Sequence, residues 1–110
     1  MAIASSRTSA SLRRFVDAMG LAQWISMVVG GEDVTHAKPH AEPVLKILQS
    51  LEVAPADTLV VGDMAVDIMM GKAAGTRTCA VSYGNSPREQ LAASRPDFII
   101  DSFSDLLALI

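Results

Sequence analysis

Short apolar runs alternate along the chain with longer stretches in which apolar residues recur every three or four positions. The short runs predict five strands, at residues 1–4, 26–29, 58–61, 78–82 and 98–100. The longer stretches predict five helices, at residues 12–19, 42–51, 66–74, 87–93 and 103–110. At the helix ends, Pro87 is expected at the first helical position. Ser102 with Asp105 resembles a capping pair before the last helix.

This alternation of strand and helix predicts an α/β fold of the Rossmann-like, three-layer type with a mainly parallel sheet. Parallel strands need crossover connections, and right-handed helical crossovers place helices on both faces of the sheet. The sequence contains no internal repeats, linkers or low-complexity tracts. We therefore expect residues 1–110 to form a single domain, or part of one.

Composition and charge narrow the functional classes. Half of the residues are hydrophobic, which suits a folded chain with one modest core, and the formal net charge is -3. Charges of both signs are interspersed, which argues against nucleic-acid binding through a basic surface. No apolar stretch approaches the roughly 20 residues of a membrane span, and the lone cysteine, Cys79, is typical of a reducing compartment. We expect a soluble, cytoplasmic protein that binds small or metal-bound ligands.

Two aspartates follow the predicted strand at residues 58–61, in the segment TLVVGDMAVD. Asp63 falls at the carboxyl end of that strand, after Gly62 allows a tight turn, and Asp67 falls in the first turn of the next helix. Two carboxylates in one small volume repel each other unless a cation joins them, and Mg²⁺ prefers carboxylate and water oxygens. In the alternative interpretation, Asp63 is a helix N-cap and Asp67 is a first-turn charge favoured by the helix dipole.

Further polar residues are expected at the same rim of the sheet. Ser5 follows the first strand and Lys38 lies in a polar loop, so both would lie near the two aspartates. A hydroxyl, an ammonium group and a carboxylate-held magnesium ion can together bind a phosphoryl group. Taken singly, Ser5 or Ser6 is more simply a cap of the first helix, and Lys38 a solvated loop charge. Their order and spacing favour the phosphate site.

The remaining polar residues near these positions indicate no separate chemistry. His36 and His40 flank Lys38, but no cysteine or nearby third histidine completes a zinc set, so both are interpreted as loop histidines. Residues 83–86 are interpreted as a loop, and Gly84 as a turn glycine.

The same residues carry a resemblance to the haloacid dehalogenase superfamily of phosphatases. Ser5 after MAIA, Lys38 in HAKPHAEP, and Asp63 with Asp67 in VVGDMAVDI are similar to its second, third and fourth motifs, in the same order. The segments KPHAEPVLKILQSLEVAPADTLVVGD, DIMMGKAAGTRTCAVSYG and PDFIIDSFSDLLALI resemble the carboxyl-terminal half of phosphoglycolate phosphatase-like members. The resemblance covers essentially the whole chain.

This resemblance implies a cofactor, a substrate class and a role for each residue. Ser5, with Ser6 beside it, would bind the transferring phosphoryl group, and Lys38 would offset its charge and that of the nucleophile. Asp63 would hold Mg²⁺, and Asp67 would support the metal shell. The substrates implied are small phosphorylated metabolites, hydrolysed through an aspartyl-phosphate.

Two parts of the superfamily pattern are absent from the sequence. The first motif, DxDxT or DxDxV after an apolar strand, supplies the aspartate that becomes phosphorylated and a second, acid-base aspartate. The aspartate pairs 57 and 63, 97 and 101, and 101 and 105 all have other spacings. The inserted cap domain is missing as well. We expect an incomplete core, lacking the first strand and the cap, that is inactive alone. The alternative is a non-catalytic binding or assembly module that retains the fold and a weak Mg²⁺ or phosphate site.

The missing strand also bears on assembly. In the superfamily it lies between the strands predicted here at residues 1–4 and 58–61, so its absence leaves two unpaired edges that face each other. One outcome is direct pairing of these two strands in a smaller monomeric sheet. The other, which we expect, is a homodimer formed through the exposed sheet edges.

Overall fold

The computed structural model describes all 110 residues and confirms the alternation of strands and helices. The strands are β1 (Ala2–Ala4), β2 (Met27–Val29), β3 (Leu59–Gly62), β4 (Arg77–Val81) and β5 (Phe98–Ile100). The α-helices are α1 (Ser9–Ala18), α2 (Glu42–Leu51), α3 (Ala65–Ala73) and α4 (Arg88–Ala93). Short 3₁₀ segments lie at Gly31–Asp33, Pro55–Asp57 and Phe103–Ala108.

All strand pairs are parallel, but the strands form two sheets. One sheet has the order β1-β2 and the other the order β3-β4-β5. In the second sheet, Gly62 of β3 lies opposite Ala80 of β4, and Ala80 lies opposite Ile99 of β5. The predicted α/β class with parallel strands is therefore confirmed. The smaller sheet in which β1 pairs directly with β3, one of the two outcomes considered above, is not formed.

The second sheet is covered on both faces. The side chains of β4 point alternately to the two faces, and each set packs against other elements. Ala80 packs with Ile68 of α3 and Leu91 of α4 on one face. Cys79 and Val81 pack on the other face, in a cluster to which the terminal 3₁₀ segment contributes Leu106. In the first sheet, Val28 packs against Leu12 and Val16 of α1. These clusters give the layered arrangement that the sequence predicts.

Helix α2 connects the two sheets. Its Val44 and Leu48 pack with Met70 and Ala74 at the end of α3, and α2 also contacts β1 and β2. Pro43 near the start of the helix and a left-handed C-cap at Glu52 (φ 54°) mark its ends.

An open groove of about 710 Å³ lies between β1 and β3. Its walls are mostly apolar and include Ala2 and Ala4 of β1, Leu59 and Val61 of β3, and Phe103. Both β1 and β3 end their sheets, so each keeps one edge without a strand partner. The groove thus lies at the position where the sequence predicts a missing strand.

Several predicted helix ends differ from the structure: α1 begins three residues and ends one residue earlier than predicted, and α3 is shifted by one residue toward the amino terminus. The chain after Ser102 forms a 3₁₀ segment rather than an α-helix, and the Ser102 hydroxyl pairs with that of Ser104 at 2.9 Å instead of capping it. Leu106 and Leu109 pack against the core, but Phe103 and Leu107 are 61% and 75% exposed, and a short helix with so small a packed face gains little stability. Pro87 lies one residue earlier than predicted, at the N-cap of α4. No helix has the length and apolarity needed to cross a bilayer.

Candidate active site

Asp63 and Asp67 both line the groove, at the carboxyl end of β3. Asp63 directly follows the strand, and Asp67 is the third residue of α3. Met64, not Asp63, is the N-cap residue of α3. The alternative in which Asp63 caps the helix is therefore wrong, and its carboxylate is not used for capping.

Asp67 is held by contacts to both of its carboxylate oxygens. Its Oδ1 accepts a hydrogen bond from Lys38 Nζ at 2.6 Å, and its Oδ2 accepts one from the Met64 N–H at 3.1 Å. A Cβ atom at Gly62 would lie 2.3 Å from the Asp67 Cβ. Gly62 belongs to β3 and provides room for this side chain, whereas the sequence suggested a turn glycine.

Lys38 reaches Asp67 from the loop that precedes α2, and Glu42 at the start of α2 holds that loop in place. The Glu42 carboxylate accepts hydrogen bonds from the N–H groups of Thr35 at 2.6 Å and His36 at 3.2 Å. Desolvation acts to raise the pKa of Glu42, but the hydrogen bonds from Thr35 and His36 outweigh it and hold that pKa below its usual value. Lys38 is thus presented by an anchored loop, with its side chain 26% exposed at the groove.

Asp63 is contacted by the loop after β4. Its Oδ2 accepts hydrogen bonds from both the backbone N–H and the side-chain Nδ2 of Asn85, each at 3.1 Å. A Cβ atom at Gly84 would lie 2.2 Å from the Asp63 Cβ. The sequence placed Gly84 and Asn85 in a loop without assigning them a contact to Asp63.

Ser5 and Ser6 follow β1 but do not line the groove with Lys38 and the two aspartates. The Ser5 hydroxyl accepts a hydrogen bond from the Arg7 N–H at 3.2 Å, a local turn contact. Thr8, rather than Ser5 or Ser6, caps α1, because its hydroxyl accepts the Ser11 N–H at 3.2 Å. The structure therefore brings together Lys38, Asp63 and Asp67, and leaves the two serines on the adjoining loop.

The two histidines beside Lys38 interact with each other and with α2. Their ring centroids lie 4.7 Å apart in a stacked arrangement. His36 Nδ1 lies 3.3 Å from a Glu42 carboxylate oxygen, and the Glu42 N–H donates to His40 Nδ1 at 3.0 Å. The chain contains no group of three His, Cys, Asp or Glu side chains placed to hold a metal ion.

Comparison with known proteins gives this site a family. The family model described as haloacid dehalogenase-like hydrolase matches residues 1–81. The chain belongs to the haloacid dehalogenase-like hydrolases. The matched range includes every residue to which the sequence assigned a role at the site, from Ser5 to Asp67.

Individual haloacid dehalogenase-like relatives are longer than this chain. The pyrophosphatase PpaX of Anoxybacillus flavithermus is 44% identical over 90 residues, which cover 82% of this chain and 42% of the relative. A phosphoglycolate phosphatase of Salmonella paratyphi A is 42% identical over 92 residues, which cover 84% of this chain and 36% of the relative. The chain thus spans well under half the length of these curated relatives.

The solved structures agree with this assignment. A protein described as a predicted phosphoglycolate phosphatase from Haemophilus somnus superposes with a TM-score of 0.90 and 28% sequence identity. The superposition covers 98% of this chain and 48% of that protein. The 110 residues therefore correspond to about half of that structure, including both sheets that flank the groove.

Proposed function

We propose that this chain forms the carboxyl-terminal portion of a phosphatase core that hydrolyses small phosphate monoesters, of which phosphoglycolate is the type. The observation that carries the proposal is the convergence of Lys38, Asp63 and Asp67 at one end of an apolar groove. Two of the relatives described above are named as a pyrophosphatase and a phosphoglycolate phosphatase, and both names denote cleavage at a phosphoryl group. The buried, unpaired Cys79 is compatible with a cytoplasmic location, which is part of the proposal.

The site offers the type of ligand that Mg²⁺ prefers, but fewer ligands than the six that Mg²⁺ takes. Asp63 and Asp67 provide carboxylate oxygens, the ligands that Mg²⁺ prefers. Both donors to Asp63 contact its Oδ2, so its Oδ1 has no protein donor. Asp67 is already bound to Lys38 and to the Met64 N–H. We therefore assign Asp63 as the metal ligand and Asp67 as a support for the metal shell. A bound Mg²⁺ would supply stabilisation of the negative charge that develops on the phosphoryl oxygens.

Lys38 would act on the phosphoryl group through its charge. Its ammonium group is fixed by Asp67 and lies at the groove, where it can donate a hydrogen bond to a phosphoryl oxygen. Ser5 and Ser6, on the loop after β1, are proposed to provide further hydrogen bonds to the same group. This role requires their hydroxyl groups to turn toward the groove when substrate binds.

The proposed reaction needs a nucleophile that these 110 residues do not contain. In an aspartyl-phosphate mechanism, a carboxylate oxygen bonds to phosphorus as the ester oxygen leaves and takes a proton from an acid. Water then gives a proton to the same acid-base group and attacks phosphorus, which releases inorganic phosphate and regenerates the carboxylate. No DxDxT or DxDxV sequence is present to supply that carboxylate and acid. We propose that a segment outside this chain supplies both, and that the chain alone has only background activity.

A second candidate function is assembly without catalysis. The observation that favours it is the pair of unpartnered strand edges, on β1 and β3, that face one apolar groove. Such edges pair readily with another chain, so a homodimer formed through them is proposed for the isolated chain.

The proposed metal site is tested by titrating the chain with MgCl₂ in a calorimeter and in a thermal-shift assay. We expect weak, millimolar-range binding, because one or two protein oxygens are few of the six ligands that Mg²⁺ takes. The response should vanish in Asp63→Asn and persist in Asp17→Asn, an exposed aspartate on α1 that does not line the groove. If Asp63→Asn responds to MgCl₂ as the parent chain does, Asp63 is not the metal ligand.

A further inference from the structure

The loop after β4 meets Asp63 because of the register of the parallel sheet. Gly62 of β3 lies opposite Ala80 of β4, so the chain leaves both strands at the same rim. Residues that follow β4 by a few positions therefore lie beside the residue that follows β3, although 22 positions separate Asp63 from Asn85 in sequence. The juxtaposition follows from the pairing of the two strands.

We propose that Asn85 is a positioning residue that orients the Asp63 carboxylate toward the groove. This inference rests on the proposed function, in which Asp63 is the metal ligand. Asn85 donates two hydrogen bonds, from its backbone N–H and from Nδ2, and both end on the same oxygen, Oδ2. The carboxylate is thereby fixed in rotation about its terminal bond, and its other oxygen, Oδ1, is left for a ligand.

Gly84 permits this arrangement by letting the backbone approach Asp63 closely. A Cβ atom at Gly84 would lie 2.6 Å from the Asp63 Oδ2 as well as 2.2 Å from its Cβ, so any side chain here would displace the carboxylate. The restriction is one of space, since the backbone at Gly84 does not adopt a positive φ. Gly84 and Asn85 together therefore act as a two-residue support for one carboxylate.

Asp63 and Asp67 differ in the groups that contact their carboxylates. Both oxygens of Asp67 are engaged, one by Lys38 and one by the Met64 N–H. Asp63 has no cation beside it among the ion pairs of the structure, and neutral donors alone hold it. A neutral donor does not compete electrostatically with a metal ion as a bound ammonium group would, so Asn85 fixes the geometry of Asp63 without placing a cation beside it.

The first arm of the test measures Mg²⁺ affinity in Asn85→Ala, which removes the Nδ2 donor and keeps the backbone N–H. Loss of such a supporting partner typically weakens metal binding by 10- to 100-fold, and we expect a loss of about tenfold because one of the two donors remains. The matched control is Gln90→Ala, which removes an exposed amide side chain from α4 and should leave the affinity unchanged.

The second arm needs no metal and keeps the inference separable from the proposed function. Urea unfolding of Asp63→Ala, Asn85→Ala and the double variant forms a cycle, because Asp63→Ala removes the oxygen that accepts from Asn85. If Asn85 positions Asp63, the unfolding constant of the double variant should be about fivefold smaller than the two single effects multiplied together predict. Pairing Asp63→Ala with Gln90→Ala should give independent effects.

The two arms separate the possible results. If the parent chain binds no Mg²⁺ but the cycle shows coupling, the metal assignment under the proposed function fails and the positioning of Asp63 by Asn85 stands. Independent effects in the cycle overturn the positioning role. So does an Asn85→Ala variant that binds Mg²⁺ as tightly as a parent chain that does bind it.

Discussion

The two aspartates at the groove differ in what their oxygens contact, and this difference divides their roles. Asp67 is 6% exposed and is neutralised by Lys38, so it serves the site as a fixed anchor for the ammonium group. Asp63 is half-buried, is held only by Asn85, and presents one free oxygen. A buried carboxylate without a partner is costly, which is why Asp67 requires its lysine.

Replacing Lys38 by methionine should destabilise the chain. The substitution leaves the Asp67 carboxylate with only the Met64 N–H as a donor, and we expect the free energy of unfolding to fall by roughly 1–3 kcal/mol, between the values for exposed and fully buried pairs. Urea unfolding followed by circular dichroism measures this. Lys72→Met, at an exposed lysine of α3 that forms no ion pair, should change stability by less than about 0.5 kcal/mol.

The Lys38 prediction is specific to its partner. In an Asp67→Asn background no buried charge remains to be compensated, so Lys38→Met should cost much less there. Equal costs in the two backgrounds would show that the ion pair is not the source of the effect.

The positions of Asp63 and Asp67 could be predicted from the sequence, whereas the partner of Asp63 could not. An apolar run that ends at Gly-Asp, with a second aspartate four positions on, locates both carboxylates at a strand end. Asn85 lies on a different loop and has no spacing relation to Asp63, because the contact depends on strand register. Ser5 shows the opposite limit, since it follows the predicted strand and yet its hydroxyl accepts only a local hydrogen bond, from the Arg7 N–H.

At the scale of elements, the close packing of α3 against β3 and β4 requires a glycine at position 71. A Cβ atom at Gly71 would lie 2.7 Å from the Thr78 Cγ2 and 3.0 Å from the Val60 Cβ. Helix α3 carries Asp67 and follows Asp63, so its distance from β3 and β4 also sets the geometry at the groove. Close packing at Gly71 therefore connects the core to the site.

The Gly71→Ala variant should be less stable by up to about 2 kcal/mol. Alanine favours a helix over glycine by about 1 kcal/mol, but insertion of a methyl group into a packed interface typically costs 1–3 kcal/mol. Thr78→Ser removes the nearest obstructing methyl group and should restore part of the loss when it is combined with Gly71→Ala. Thermal unfolding of the single and double variants measures both effects, and a Gly71→Ala chain more stable than the parent would contradict this view of the interface.

Element types were easier to predict than element pairing. Helix α2 has the bounds that its apolar stripe and Pro43 indicate, and β4 is shifted by one residue from its predicted range. Periodicity describes which face of an element is buried but not which element covers it. For that reason it could not show that β1 would pair only with β2, or that the last apolar stripe would form a 3₁₀ segment in which Phe103 and Leu107 stay exposed.

At the scale of the whole molecule, the open groove separates two sheets, whereas an α/β domain ordinarily has one continuous sheet. It exposes apolar side chains of β3, among them Val61, and leaves a free edge on each side. Exposed apolar edges tend to pair with another strand, and the solved structures that match this chain are about twice its length.

Light scattering after size exclusion tests how the isolated chain accommodates the groove. We expect a concentration-dependent dimer, because pairing through the free edges of β1 and β3 would bury the apolar walls. A charged residue in one of those strands, as in Val61→Lys, should shift the population toward monomer. A monomer of 11.6 kDa over a wide concentration range would refute self-association through these edges.

The measurement that tests the central claim most directly is the hydrolysis of p-nitrophenyl phosphate in the presence of Mg²⁺. The purified 110-residue chain is compared with the same chain fused behind an amino-terminal segment of a relative that carries DxDxT or DxDxV after an apolar strand. We predict background rates for the chain alone, and turnover by the fusion that Lys38→Met and Asp63→Asn abolish but Gln90→Ala does not. Robust, Lys38-dependent turnover by the 110-residue chain alone would contradict the account.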